Sequence, residues 1–295
     1  MNVPPNVWVG FALAVVVSFA AFRLRSLSVQ GMLAAAILGT VIFGFGGLGW
    51  AVLLLAFFIS SSGLSKLFKR QKAALEEKFS KGARRDAAQV LANGGIAGLF
   101  VVAHAIWPEA AWPWAAFAGA LAAANADTWA TELGVLSRTA PRLITTRQPV
   151  ERGTSGGIST TGTLAALGGA LLIALLAVIF WQGRVSGLYM NSPAWLAQLL
   201  GSTAAPIPLL TRLLWLLWIA FCGLAGSLLD SWLGATAQAI YHCPNCNKET
   251  ERHPVHTCGT RTTHLRGMEW LNNDAVNLLC TLLGALLAVI PFLVG

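Results

Sequence analysis

Four polar groups interrupt a chain that is otherwise strongly apolar. They are Arg84-Arg85-Asp86 with Asn93; Asn125, Asp127, Thr131 and Glu132; Asp230-Ser231-Trp232; and Asn272-Asn273-Asp274 with Asn277. Carboxylates near a membrane boundary are costly and need partners, so each group is a candidate for function. Oxygen-rich Asp, Asn and Glu clusters suit a hard cation such as Mg2+, which takes a few carboxylates plus phosphate oxygens. Asp127, Glu132, Asp230 and Asp274 are therefore the candidate catalytic carboxylates. Asp127, Asp230 and Asp274 are the candidate Mg2+ ligands.

Spacing refines this reading. On a helix, Asp127 and Thr131 are four apart and share a face, while Asn125, Thr128 and Glu132 form a second ridge about a quarter turn away. Asn and Thr alone would fit a hydrogen-bonded seam between helices. Two carboxylates instead call for cations or a metal. Asp230-Ser231-Trp232 echoes Asp127-Thr128-Trp129. Two such matches at one depth suggest a pair of half-sites, as in polytopic proteins built from internal repeats. At the start of the last apolar segment, Asn273 and Asn277 are four apart, and Asp274 and Asn277 three apart.

A second kind of chemistry lies in RLITTRQPVERGTSGGISTTGT. Gly153, Thr154, Ser155, Gly156 and Gly157 lead towards a helix expected to start at Gly156 or Gly157. Free amides at a helix N-terminus form a phosphate seat. Arg142, Arg147 and Arg152 add positive charge. The segment lacks the GxxxxGK[ST] pattern of a P-loop. With Arg84, Arg85, Asp86, Asn93, Asn125, Asn273 and Asn277, Arg147 and the Gly-rich residues are the substrate- and phosphate-binding candidates. A third kind lies in CPNCNKETERHPVHTCG, where Cys243, Cys246, His256 and Cys258 offer three thiolates and one imidazole, with His253 nearby. That donor set fits a structural tetrahedral Zn2+. Cys222 and Cys280 lie in apolar segments and read as inert packing residues.

The elements that must hold these groups are membrane helices. The chain of 295 residues is 56% hydrophobic and only 11% charged, whereas soluble domains carry about 25% charged residues. About 20 apolar residues cross a bilayer core. Segments near 6–22, 29–45, 48–64, 87–107, 113–136, 157–181, 207–236 and 271–294 meet that need, with GFGGLGW (Gly44–Trp50) as a tight turn. The expected fold is one all-α polytopic membrane domain of about eight helices spanning 1–295. All Lys and Arg except Arg184 and Arg212 fall in alternate loops. Basic loops stay cytoplasmic, so both termini are expected outside and the polar site at the cytoplasmic face. The first segment, with no basic residue before it, reads as a retained anchor rather than a cleaved signal. The 66–86 segment reads as a basic interfacial helix on anionic lipid, and 241–268 as the cytoplasmic Cys/His loop. The tryptophans read as interface anchors, those of the short turn at 107–114 among them, and the loop at 183–206 is bland.

The blocks RRDAAQVLANGG, ANADTWATELG, RLITT followed by GTSGGIS, GSLLDSWLGAT and WLNNDAVN carry a resemblance. In order and spacing they resemble an integral-membrane family, long catalogued as of unknown function. It includes the plant phytyl-phosphate kinase of the vitamin E salvage pathway and animal transmembrane protein nineteen. The resemblance runs from about Arg84 to Asn277 in motifs, and the first three segments match in hydropathy. It implies a CTP-dependent kinase that converts an isoprenyl monophosphate, phytyl-like or polyprenyl, to the diphosphate. Some relatives lack the CxxC loop, so zinc would belong to a subgroup and not to the chemistry. The expected partners are the lipid bilayer of the cell membrane, an isoprenoid phosphate and CTP, with no nucleic acid and the oligomeric state left open. The alternatives are a nucleotidyl or other lipid-phosphate transferase, a transporter or flippase for a phosphorylated lipid or cation, and a scaffold. A transporter calls for a polar path to the external face, and the outer halves of the segments are apolar apart from His104.

Overall fold

A computed structural model describes residues 5–68, 84–181, 184–185, 188–189 and 209–294. Most of the expected interfacial segment at 66–86 and most of the loop at 183–206 lie outside the described residues.

Among the described residues, eight long helices carry the chain. They are α1 (Pro5–Arg23), α2 (Val29–Val41), α3 (Leu48–Leu67), α4 (Ala87–Ile106), α5 (Trp112–Gly134), α6 (Thr160–Ile179), α7 (Leu209–Thr236) and α8 (Asn273–Val294). Each coincides with an apolar segment of the sequence to within a few residues. Local chemistry sets the ends. The Ser28 hydroxyl accepts from the Gly31 N–H at 3.1 Å and starts α2. That helix runs into a π-helical turn, Ile42–Gly46, which stops at Gly47 with φ +80°. At α4, Asp86 accepts from the Gln89 N–H at 2.9 Å, and the Gln89 side chain accepts from the Asp86 N–H at 3.2 Å. This reciprocal pair satisfies two amides that a helix start leaves open.

The helices pack around α5. It touches α3, α4, α6, α7 and α8, and its residues from Pro113 to Ala126 are buried. Most of them are alanine, with Gly119 among them. Apolar side chains gain little by leaving lipid for protein, so close van der Waals packing of small residues holds such helices together. Gly119 meets the backbone of Gly284 on α8, and Gly223 of α7 sits against Ala122 and Ala170. A Cβ on Gly119 would collide with the Gly284 carbonyl oxygen. Large side chains such as Val16, Leu99, Leu164 and Leu217 cover the outside. Six of the eight helices are long and apolar enough to cross a membrane. The stretch Val7–Arg23 is shorter, and α5 is enclosed by its neighbours. The chain is thus a mostly helical membrane protein.

Three expectations need correction. The fold is not wholly α. Two short strands, β1 (Arg142–Leu143) and β2 (Gly157–Ile158), pair antiparallel. Beyond a second short pair, β3 (Arg184–Val185) with β4 (Leu188–Tyr189), the Cys/His loop folds as a sheet in the order β6–β5–β7. Its strands are β5 (Ile240–Cys243), β6 (Lys248–Thr250) and β7 (Thr263–Arg266). Second, α6 starts at Thr160 and not at Gly156 or Gly157. Ser159 caps it by accepting from the Gly162 N–H at 3.1 Å, because Gly156 turns the chain with φ +82° and Gly157 is committed to β2. Third, several tryptophans are core residues. Trp50 and Trp114 meet edge-on at 4.9 Å between ring centroids, and Trp181 meets Trp215 at 4.7 Å. Trp107 stays exposed.

Candidate functional site

The polar groups gather at one end of the bundle. There α3, α5 and α7 finish while α4, α6 and α8 begin. The Ser65 hydroxyl of α3 donates to Glu132 of α5 at 2.6 Å, and the Ser155 hydroxyl donates to Gln238, just past α7, at 2.9 Å. The Ala239 N–H donates to the Leu271 carbonyl at 2.9 Å, tying the exit of α7 to the entry of α8.

A cavity of about 160 Å³ opens at this end. Asp127 and Thr131 reach it from α5, Ser227, Asp230 and Ser231 from α7, and Asn273 from the start of α8. Its opposite wall is the segment from Arg152 to Ser159, including Gly153, Thr154, Ser155, Gly156 and Gly157. That wall is locked to α7. Gly156 has φ +82°, and a Cβ there would press on the Ala235 backbone; a Cβ on Gly234 would press on the Ser155 hydroxyl. Both positions need glycine, one for its left-handed backbone and both for close approach. Asp127 and Glu251 lie near enough to Asp230 to act on it electrostatically. The Oδ2 atom of Asp230 is buried and has no hydrogen-bond partner among the described residues. A buried carboxylate oxygen in that state is suited to a cation or a donor from a ligand.

Several sequence candidates stand elsewhere. Asn125 is fully buried. It accepts from the hydroxyls of Ser60 and Ser61, both at 3.1 Å, and donates to the Gly169 carbonyl at 2.8 Å. Glu132 is buried and accepts from Ser65 on the far side of α5. The ridge carrying Asn125 and Glu132 is therefore the interhelical seam, while the ridge of Asp127 and Thr131 faces the cavity. Five residues of helix turn Glu132 about 140° away from Asp127. Asp86 is a helix cap. Asn93 donates to the Gln89 carbonyl at 2.9 Å, and Asn277 to the Asn273 carbonyl at 2.9 Å. Arg84 is exposed. Arg147 is also exposed, and its carbonyl accepts from Arg142 at 2.8 Å. Arg152 takes the place at the cavity expected of Arg147, and donates to the Ser137 carbonyl at 2.6 Å. Asp274 is in the first turn of α8 but outside the cavity lining.

Arg85 marks a second place. Its guanidinium lies over the rings of Phe57 and Phe58, at 5.3 and 5.8 Å from their centroids. Burial pulls it down to about 10, with Glu132 opposing that shift, so it remains cationic at neutral pH. With Gln89 and Asn93 it ends an apolar cavity of about 230 Å³ walled by α1 to α4.

The Cys/His residues converge as expected. The ligand atoms of Cys243, Cys246, His256 and Cys258 all lie within 4.8 Å of one another. Among the described residues they form the one group of three or more such side chains close enough to share an ion. His253 instead stacks on Tyr241, at 4.3 Å between ring centroids. Cys222 and Cys280 are buried in the helical core.

The sequence reading missed Gln238 and Glu251, which both line the polar cavity. The Gln238 side-chain amide donates to Glu251 at 3.0 Å and its carbonyl accepts from Ser155. No spacing rule links Glu251 to Asp230, since the fold of the Cys/His loop brings it there.

Comparison with known proteins places these features in a family context. Residues 12–285 match the family described as integral membrane protein DUF92. The chain is similar to Protein PGR of Arabidopsis thaliana, 34% identical over 305 residues and covering 98% of each chain. It is also similar to an uncharacterized membrane protein of Methanocaldococcus jannaschii, 37% identical over 53% of this chain and 64% of that one. A third relative, an uncharacterized membrane protein of Synechocystis, is 32% identical over 48% of this chain and 55% of its own length. No solved structure matches.

Proposed function

The chain belongs to the DUF92 integral membrane family, and on that footing we propose that it is a phosphotransferase acting on a membrane-embedded lipid phosphate. The reaction is transfer of the terminal phosphate of CTP to an isoprenyl monophosphate, giving the isoprenyl diphosphate and CDP. One observation carries the reading. Two carboxylates from different helices, Asp127 and Asp230, share a cavity with a Gly/Ser/Thr-rich wall and Arg152. Acids suit a cation, and backbone amides, hydroxyls and arginine suit phosphates, so the cavity has both halves of a phosphoryl-transfer site. CTP and the isoprenoid follow from the family resemblance rather than from the cavity.

The step balances simply. An oxygen of the lipid phosphate attacks the terminal phosphorus of CTP. A new P–O bond forms as the P–O bond to CDP breaks, and CDP leaves with the electron pair. The attacking phosphate is already anionic, so no strong general base is needed. Asp127 and Asp230 would hold Mg2+, which neutralises charge on the transferring group. Arg152, Thr154 and Ser155 orient the nucleotide phosphates, and Asn273 borders the same space. The apolar cavity among α1 to α4, ended by Arg85 and Asn93, lies across α5 and shares no lining residue with this site. The lipid phosphate would therefore meet CTP in the polar cavity itself, with the isoprenoid chain between helices in hydrocarbon. The cavity then belongs at the cytoplasmic face of the cell membrane, where CTP is present.

The test is purified protein with labelled CTP, Mg2+ and isoprenyl monophosphates from geranyl to undecaprenyl length. Labelled diphosphate and CDP are expected. Labelled CMP on the lipid with release of pyrophosphate would make it a cytidylyltransferase. No lipid product, together with substrate-dependent flux in reconstituted vesicles, would make it a transporter.

A further inference from the structure

We propose that Cys243, Cys246, His256 and Cys258 hold one Zn2+, and that this ion fixes the β5–β7 sheet so that Glu251 stands as a third carboxylate at the polar cavity. The second half rests on the reading of that cavity as a cation and phosphate site.

The geometry points to a metal. Zn–S bonds of about 2.3 Å in a tetrahedron set the ligands about 3.8 Å apart. Here the Cys243 and Cys258 sulfurs are 3.5 Å apart, Cys246 Sγ is 3.6 Å from His256 Nδ1, and Cys258 Sγ is 3.3 Å from His256 Nδ1. Two turns present the ligands in pairs, Cys243 with Cys246 and His256 with Cys258. Each pair is followed at once by a residue in the left-handed region, Asn247 at φ 48° and Gly259 at φ 84°. Both turns thus curl the chain back behind a ligand pair. The sheet has few apolar residues to hold it, with Ile240, Tyr241 and Cys243 its buried ones. Small modules of this kind obtain folding energy from a structural metal.

The sheet is also coupled to the cavity. Cys243 ends β5 and pairs across the ladder with Lys248, which starts β6. Glu251 follows β6 directly, so a clamp on the Cys243–Cys246 turn sets where Glu251 emerges. Glu251 accepts from Gln238 at 3.0 Å, and Gln238 accepts from Ser155 at 2.9 Å. Ser155 belongs to the Gly-rich wall. The chain of contacts therefore runs from the cysteine turn through Glu251 and Gln238 to the phosphate-facing loop. At the other end of the sheet, Arg266 donates to the Gly234 carbonyl at 3.2 Å and holds β7 against α7. Glu251 acts here as a positioning and charge-supplying residue beside Asp230.

The experiment uses the full chain, purified in detergent, with zinc measured by mass spectrometry and free thiols titrated. Mn2+ serves as the probe of the cavity, read by electron paramagnetic resonance. One zinc per chain is expected. Glu251→Gln should keep its zinc and bind Mn2+ roughly 10-fold more weakly, the scale of losing a supporting partner of a metal site. Wild-type protein stripped of zinc and freed of chelator should show the same weakening. A zinc-free chain, or a Cys243–Cys258 disulfide found in its place, overturns the metal site. Zinc present with unchanged Mn2+ affinity in Glu251→Gln overturns the positioning role. Zinc present with no Mn2+ binding even in the wild type overturns the cavity reading and, with it, the role of Glu251.

Discussion

At the residue scale, two acids on one helix have different work. Asp127 faces the cavity, and Glu132 is hydrogen-bonded to Ser65 in the seam between α3 and α5. Asp127→Asn or Asp230→Asn should lower turnover on the order of 100-fold or more, the scale of removing one preorganised electrostatic partner of a transition state. Both variants should remain folded in the membrane, and full activity in both would remove the cation site. Ser65→Ala should instead leave a buried carboxylate oxygen without its donor and cost about 1–3 kcal/mol in stability, read as a lowered midpoint of thermal unfolding in detergent. The sequence made the two ridges of α5 legible, because helical spacing is unambiguous there. Which ridge met a cavity was not legible, because the serines at 60, 61 and 65 had no reason to be matched with α5 before the helices were packed.

At the element scale, the helices were legible and the strands were not. Runs of about 20 apolar residues carry their own signal. Strands of two to four residues, as in β1, β2 and β5 to β7, have too few positions to show alternation. The same shortness misplaced the start of α6, since glycines that open a helix and glycines that enter a hairpin look alike in sequence. That hairpin carries the Gly-rich wall, so its fit against α7 should be sensitive to bulk. Gly156→Val would need both a strained backbone and space held by Ala235. A loss of about 1–3 kcal/mol is expected, as for other overpacked sites, and CTP saturation should weaken more than lipid saturation. On the other side of α5, Arg85→Gln should leave CTP saturation alone. It removes the cation at the end of an apolar cavity that shares no residue with the polar one, so the KM for CTP should stay unchanged. A raised KM for CTP would show that the two cavities act together.

At the scale of the whole molecule, the direction of the cavity decides whether the proposed chemistry is available at all. The loops at its end hold Arg25, Arg138, Arg142, Arg147, Arg152, Arg252, Arg261 and Arg266, whereas the turn between α4 and α5 at the other end holds Glu109 and no basic residue. Lys and Arg in short loops favour the cytoplasmic side. Among the described residues, the opposite end carries packed rings, with Trp50 against His104 at 4.9 Å and Trp181 against Phe292 at 6.4 Å between centroids. A polar site at the basic end, with aromatics packed at the other among the described residues, fits an enzyme drawing a soluble nucleotide from one compartment better than a through-path. The orientation is testable without removing the zinc ligands. Glu109→Cys and Arg147→Cys would each be placed in the native chain, with the unmodified protein as the blank for its own five cysteines. A membrane-impermeant maleimide should label position 109 in intact cells and position 147 only after permeabilisation. The reverse pattern would turn the cavity away from cytoplasmic CTP. The acids and the Gly-rich wall would then face a compartment without that nucleotide, and the kinase reading would fail for lack of a phosphoryl donor even if every cavity residue proved essential.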